Sequence, residues 1–205
     1  MLALVRSSCM SRHMESWLPR HRITVDEYYR MAEVGLLAED ARVELIEGEI
    51  IDMAPKGSRH GATVDRLGRL LNRAVGDQAV VRVQGPVQLS RSSEPQPDLA
   101  LLKPREDFYA SGHPAGPDTL LIIEVSDATF RYDSTVKLPL YARHGVPEVW
   151  IVDLKGRRLH LFRSPADDRF VDESSVTDPG LTPIAALPGV VIDVTEFPLT
   201  QALSP

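Results

Sequence analysis

Two carboxylates in the middle of the chain have the setting of a metal site. Asp98 follows Pro97 at the start of a predicted strand, and Glu124 interrupts the apolar run of residues 120–125. A carboxylate within such a run is costly to bury unless it is paired or binds a cation. Either an arginine holds Glu124 at its strand end, or Asp98 and Glu124 converge from neighbouring strands on Mg²⁺. Two carboxylates plus water are the usual protein share of a Mg²⁺ site.

Two further side chains would extend such a site. Glu44 lies in a predicted hairpin strand, where it is either a solvated acid, like Glu47 and Glu49, or a third carboxylate that orients a metal-bound water. His60 begins a predicted helix, where it is either a capping or surface residue or a group that contacts phosphate or metal. Taken singly, each is better explained as an ordinary surface or capping residue.

A lysine further along the chain would supply positive charge. Lys137, one of only four lysines, lies in or before a helix predicted for residues 133–144. Either it forms an i, i+4 pair with Asp133 on a solvated helix face, worth roughly 0.2–0.5 kcal/mol, or its ammonium projects toward the two carboxylates. Pro139 bends this helix if the helix begins at Asp133, but costs little if it begins near Leu138.

The predicted elements place these residues in one mixed α/β domain. A capping box formed by Thr24 and Glu27 begins the first helix. A tight turn at Glu47-Gly48 joins two short strands, and a second helix is expected over residues 58–75. Further strands are predicted over residues 79–90, 97–102, 119–125, 147–154, 158–163 and 190–194. This order favours a central mixed sheet with flanking helices.

Composition limits the remaining classes of protein. The 205 residues suit one domain, and we predict an N-terminal tail over residues 1–22 and a single domain over residues 23–205. The single cysteine, Cys9, excludes an intrachain disulfide and a four-cysteine zinc site and indicates the cytoplasm. No run of apolar residues is long enough to span a membrane. Because the net charge is −6, contact with nucleic acid must be local.

Several stretches occur together in a characteristic order. They are Glu44-Leu45-Ile46-Glu47-Gly48-Glu49, Met53-Ala54-Pro55 with His60, Pro97-Asp98-Leu99-Ala100, Ile123-Glu124-Val125-Ser126, Asp133 with Lys137, and Tyr141-Ala142 followed by Gly145-Val146-Pro147-Glu148-Val149-Trp150-Ile151-Val152-Asp153. Over roughly residues 23–197 the chain therefore resembles the PD-(D/E)xK nuclease superfamily, and within it the Uma subgroup of restriction endonuclease domains.

This resemblance implies a restriction-endonuclease-like core, in which a central mixed sheet has helices on both sides. It also implies that Asp98 and Glu124 are the metal ligands of the motif. Glu44 would be the upstream acid seen in many members, and His60 matches a histidine that recurs in the subgroup.

The chain departs from the motif at one position. The motif places its lysine two residues after the glutamate, on the same side of the strand, and this chain has Ser126 there. The subgroup resembles branches of the superfamily in which the lysine lies on the next helix, which makes Lys137 the candidate. Ser126 and His60 are then expected beside the metal ligands or in contact with phosphate.

The predicted function is that of a metal-dependent endonuclease that hydrolyses DNA with a Mg²⁺-activated water, Mn²⁺ being an alternative ion. Asp98, Glu124, Lys137 and Glu44 are the predicted catalytic residues. The alternative is a catalytically silent nuclease-like module that binds or assembles with partners, because a fold does not fix a function. A homodimer would suit cleavage of two strands, and a separate partner would supply sequence specificity.

Overall fold

A computed structural model of the protein describes residues 20–178 and 180–196. Most of the predicted tail, residues 1–19, lies outside the described residues. Arg20 and Arg22, at the end of that segment, both form ion pairs with Glu49. Arg22 also packs closely on Gly48, where a Cβ atom would lie 2.6 Å from the Cβ of Arg22. Glycine is therefore required at this turn.

Ten strands and four α-helices follow one another along the described chain. The strands are β1 (Val43–Ile46), β2 (Glu49–Asp52), β3 (Val80–Val83), β4 (Leu99–Leu102), β5 (Thr119–Ser126), β6 (Glu148–Asp153), β7 (Arg158–Ala166), β8 (Arg169–Val176), β9 (Leu181–Pro183) and β10 (Val191–Asp193). The α-helices are α1 (Val25–Glu33), α2 (Ser58–Val75), α3 (Phe130–Tyr132) and α4 (Leu138–Arg143). A π-helical turn, Asp133–Lys137, joins α3 to α4.

Local sequence signals account for the first three elements. The backbone N–H of Glu27 donates to Thr24 Oγ1, and the N–H of Thr24 donates to the Glu27 carboxylate, which completes the predicted capping box. Glu47 and Gly48 both have positive φ, as a tight hairpin turn between β1 and β2 requires. Gly76, with φ 49°, ends α2 at the predicted place.

Six strands form the central sheet in the order β3-β4-β5-β6-β7-β8. β5 and β6 are parallel, whereas the other neighbouring pairs are antiparallel, so the sheet is mixed. Two separate hairpins, β1-β2 and β9-β10, lie outside it. The predicted fold class, a mixed sheet flanked by helices, is confirmed.

Each face of the sheet is covered by a different helix. The α2 side chains Val64, Leu67 and Leu71 are buried in one apolar cluster with residues of β4, β5 and β6. Tyr141 and Ala142 of α4 are buried in a second cluster on the other face. Alternate residues of the central strands contribute to the two clusters, as expected for strands covered on both sides.

The sheet differs from the sequence prediction at its two edges. The strand predicted over residues 79–90 is shorter and consists of the four-residue β3. Gln84 has positive φ, and the regular strand ends there although its backbone N–H still donates to the carbonyl of Asp98. β8, at the other edge, was not predicted, since it is mostly exposed and lacks an apolar period. β9, which lies outside the central sheet, was not predicted either. Within the described ranges, no helix is both long and apolar enough to cross a membrane.

Candidate active site

The predicted site residues border one cavity of about 680 Å³. The β1-β2 hairpin, the start of α2, the adjacent ends of β4 and β5, and the helical segment 130–137 surround it. Its lining includes five of the six side chains singled out in the sequence, namely Glu44, His60, Asp98, Glu124 and Lys137. Ser126 is not part of the lining and is fully buried.

Strand pairing brings the two central carboxylates to the same face of the sheet. β4 and β5 are antiparallel, with Leu99 opposite Ile123. Asp98, one residue before Leu99, is therefore level with Glu124, and the backbone N–H of Val125 donates to Asp98 Oδ2 over 3.0 Å. Asp98 and Glu124 are both almost fully buried.

Asp98 is held as an ionised carboxylate. Burial alone would raise its pKa, but the hydrogen bond and charge of His60, the Val125 amide and the Lys56 ammonium together lower the pKa below its ordinary value. His60 Nε2 lies 2.9 Å from Asp98 Oδ2 and donates to it. The other ring nitrogen of His60, Nδ1, is buried without a hydrogen-bond partner.

Glu124 has the opposite electrostatic setting. Its Oε1 accepts hydrogen bonds from Lys137 Nζ at 3.1 Å and from the Tyr141 hydroxyl at 2.6 Å. Burial raises the pKa of Glu124, and the negative charges of Asp133 and Asp98 raise it further, against the lowering effect of Lys137. The pKa values of Asp98 and Glu124 are thus shifted in opposite directions by their surroundings.

Lys137 lies between two carboxylates in the interior. Its Nζ is 3.1 Å from Glu124 Oε1 and 3.1 Å from Glu44 Oε2, and its side chain is only 5% exposed. The alternative of a solvated pair with Asp133 is therefore wrong. Burial would lower the pKa of the ammonium, but the charges of Glu124 and Glu44 raise the pKa above its usual value, so Lys137 stays protonated.

Glu44 has both carboxylate oxygens engaged by the protein. Oε2 accepts the backbone N–H of Gln96 at 2.9 Å and faces Lys137, and Oε1 accepts the Tyr132 hydroxyl at 3.1 Å. Glu44 is buried, so it is not a solvated acid like Glu47. These contacts favour a role in fixing the position of the lysine.

Ser126, at the motif position for lysine, anchors the segment that carries Lys137. Its hydroxyl donates to Asp133 Oδ2 at 2.6 Å, and the Thr129 hydroxyl donates to the same oxygen at 2.7 Å. Asp133 begins the π-helical turn that ends at Lys137. Pro139 then falls in the first turn of α4, where its missing N–H costs little.

Removing the Ser126 hydroxyl is expected to weaken this anchor. Ser126→Ala should lower the free energy of unfolding by about 1.5–3 kcal/mol, because a hydrogen bond to a buried charged group is lost. Urea denaturation followed by circular dichroism measures the change. Ser175→Ala, on an exposed part of β8, is the control. An unchanged midpoint for Ser126→Ala would show that Thr129 alone holds Asp133.

The donor set fits a divalent cation. Four buried carboxyl groups, those of Glu44, Asp98, Glu124 and Asp133, accompany one buried lysine, so the site offers more oxygen ligands than buried cationic side chains. Among the described residues, no three or more His, Cys, Asp or Glu side chains form a metal cage. Mg²⁺ does not need one, because it is commonly held by one or two carboxylates and keeps several waters.

Three contact residues of the site were not assigned a role from the sequence. Tyr141 donates to Glu124, Lys56 pairs with Asp98 at 3.4 Å, and Tyr132 donates to Glu44. Tyr141 lies four residues after Lys137, which is the spacing of one helix face and could have identified it. Lys56 lies in a loop without periodicity, so no pattern in the sequence indicated its direction.

Comparisons with known proteins bear on the family and the fold of the chain. The Uma2 family model, described as “Putative restriction endonuclease”, matches residues 25–195. A crystal structure of a “putative nuclease belonging to DUF820” from Anabaena variabilis is similar, with a TM-score of 0.64 and 18% sequence identity, over 86% of this chain and 98% of that chain. At this identity the similarity establishes the fold alone. No curated protein gives a significant match.

Proposed function

The chain belongs to the Uma2 family of restriction endonuclease domains, and from this membership we propose that it is a metal-dependent nuclease that hydrolyses DNA phosphodiester bonds. The observation that carries the proposal is the placement of Asp98 and Glu124 on one face of neighbouring strands, beside a buried lysine. Two carboxylates and a cationic side chain around a cavity are the parts that metal-assisted phosphodiester hydrolysis needs.

Asp98 and Glu124 would hold the ion, Mg²⁺ or Mn²⁺. When bound, the ion supplies Lewis-acid polarisation of a phosphate oxygen and acidifies water. His60 and the Val125 amide hold the Asp98 carboxylate in a fixed orientation by donating to Oδ2. Tyr141 does the same for Glu124 by donating to Oε1. Such preorganisation reduces the reorganisation needed during the reaction.

Lys137 acts as a positive charge rather than as a base. Its raised pKa keeps it protonated at neutral pH, so it cannot accept the proton of the attacking water. It can orient that water or stabilise charge that develops on the phosphate. Glu44 and Glu124, each 3.1 Å from Nζ, fix its position, and Ser126 fixes the segment that carries it through Asp133.

Further parts of the proposal concern the setting of the reaction. Arg131 lines the cavity and is available to contact phosphate, whereas Arg59 donates to the backbone carbonyl of Leu154.

Cleavage of both strands of a duplex would use a twofold dimer, and a separate partner would supply sequence specificity. With one cysteine in the chain, we place the reaction in the reducing cytoplasm.

Supercoiled plasmid DNA tests the proposal. The purified protein should convert it to open circles with Mg²⁺ or Mn²⁺, and EDTA should stop the reaction. Cleavage of RNA alone would reassign the substrate. If supercoiled, single-stranded and branched DNA all stay intact with either ion, the alternative of a catalytically silent binding or assembly module replaces the nuclease.

A further inference from the structure

A second lysine, Lys56, contacts the other carboxylate of the candidate metal site. Lys56 lies in the loop of residues 53–57 that connects β2 to α2, and it lines the same cavity. Its Nζ is 3.4 Å from Asp98 Oδ1. The mechanism above gives this lysine no role.

The two oxygens of Asp98 are held very differently. Oδ2 accepts two close hydrogen bonds, from His60 at 2.9 Å and from the Val125 amide at 3.0 Å. Oδ1 has only longer contacts, with Lys56 at 3.4 Å and with Gln84 Nε2 at 3.5 Å. Oδ1 is therefore the oxygen that an incoming cation would use, and the Lys56 ammonium lies against it.

The two lysines of the site also differ in how firmly they are held. Lys137 is 5% exposed and has two carboxylate partners, both at 3.1 Å. Lys56 is 24% exposed, has one partner, and extends from a loop whose residues Ala54, Pro55 and Gly57 are exposed. A long, partly solvated side chain on such a loop can move away from its partner at small cost.

We infer that Lys56 is a built-in counterion, whose ammonium occupies the place on Asp98 Oδ1 that a divalent cation would take. Lys56 is displaced when the ion binds. The inference rests on the proposed function, because it takes Asp98 as a metal ligand. In the metal-free protein, the Lys56 ammonium supplies a positive charge beside the buried Asp98 carboxylate. Since both cations compete for one oxygen, Lys56 lowers the affinity of the site for metal.

Metal binding tests this competition directly. Free Mn²⁺ measured by electron paramagnetic resonance gives the Kd for the wild type, for Lys56→Met and for Lys155→Met, whose lysine is exposed in a turn. We expect Lys56→Met to bind Mn²⁺ roughly tenfold more tightly, because a competing charge within about 4 Å of the ligand is removed. Lys155→Met should match the wild type.

Melting temperatures provide a second readout that a merely structural role would not produce. Lys56→Met should melt below the wild type in EDTA, because Asp98 loses its counterion, and should gain more than the wild type when Mn²⁺ is added. A purely structural lysine would lower both melting temperatures equally, which would overturn the inference. Lys56→Gln repeats the measurements if Lys56→Met does not fold.

The outcomes separate the two proposals. If the wild type binds Mn²⁺ and Lys56→Met binds with equal or lower affinity, the role of Lys56 is wrong and the metal-dependent function stands. If Lys56→Met binds and the wild type does not, competition by Lys56 is stronger than inferred, and the role is supported. If neither binds, both proposals fall.

Discussion

Asp98→Asn is expected to reduce DNA nicking by at least three orders of magnitude and to abolish the Mn²⁺-induced rise in melting temperature. Asn keeps the shape of Asp98 but removes the charge that binds the cation. Loss of roughly 4 kcal/mol of Lewis-acid stabilisation corresponds to about a thousandfold in rate. Wild-type protein at 100 times its Kd should gain about 2.7 kcal/mol, or roughly 5–10 °C at this chain length.

Asp98→Asn should remain folded without metal. His60 and Lys56 lose an ionised partner, which costs about 1–3 kcal/mol, but the side-chain volume is unchanged. Asp168→Asn, in the exposed turn between β7 and β8, controls for the loss of one negative charge. A variant that still shows the full Mn²⁺ shift would exclude Asp98 as a ligand. A variant that loses the shift but still nicks DNA would exclude the metal from the reaction.

Lys137→Met is expected to affect catalysis and stability together, while leaving metal binding intact. Nicking should fall by about two to three orders of magnitude, the scale for loss of one preorganised donor to developing charge. The free energy of unfolding should fall by about 3–5 kcal/mol, since Glu124 and Glu44 lose the buried ammonium that they share. The Mn²⁺ shift should persist or grow, because a positive charge near the cation site is gone.

A double variant separates the two effects of Lys137. Glu44→Gln/Lys137→Met removes one of the two uncompensated carboxylates, so it should recover part of the lost stability and none of the lost activity. Lys103→Met, whose lysine is exposed after β4, is the control for nicking and denaturation. Unchanged nicking by Lys137→Met would remove the helix-borne lysine from the mechanism.

The sequence predicted those parts of the fold that local chemistry determines. α2 runs over the predicted residues because Gly76 ends it and its apolar stripe packs on the sheet. The apolar run of β5 predicted a strand covered on both faces, and all of its residues are buried. The sequence left open whether Asp98 and Glu124 meet, because a strand pattern shows the face on which a residue lies but not the neighbouring strand. The pairing of β4 with β5 brings the two carboxylates together.

The remainder depends on contacts between distant segments. Lys56 reaches Asp98 across 42 positions from a loop, and nothing near Lys56 in the sequence indicates this direction. The choice between a surface and a buried Lys137 could not be made from its i, i+4 spacing to Asp133, because the spacing is the same in both cases. The long-range contacts of Lys137 with Glu44 and Glu124 decided it, and the roles of both lysines stay predictions.

The π-helical turn has a geometric consequence for the three buried residues Asp133, Lys137 and Tyr141, which are spaced four apart. In a regular α-helix such a series drifts around the axis by about 40° per step, because 3.6 residues complete a turn. The drift would reach about 80° between the first and the third. The turn over Asp133–Lys137 is wider, because its hydrogen bonds join i to i+5, so four residues fall short of a full turn. The angular offset from Asp133 to Lys137 therefore has the opposite sign to the α-helical offset from Lys137 to Tyr141. The extra residue in this turn thus keeps the Asp133 carboxylate, the Lys137 ammonium and the Tyr141 hydroxyl on one side of the helical segment, where they contact Ser126 and Glu124 of β5.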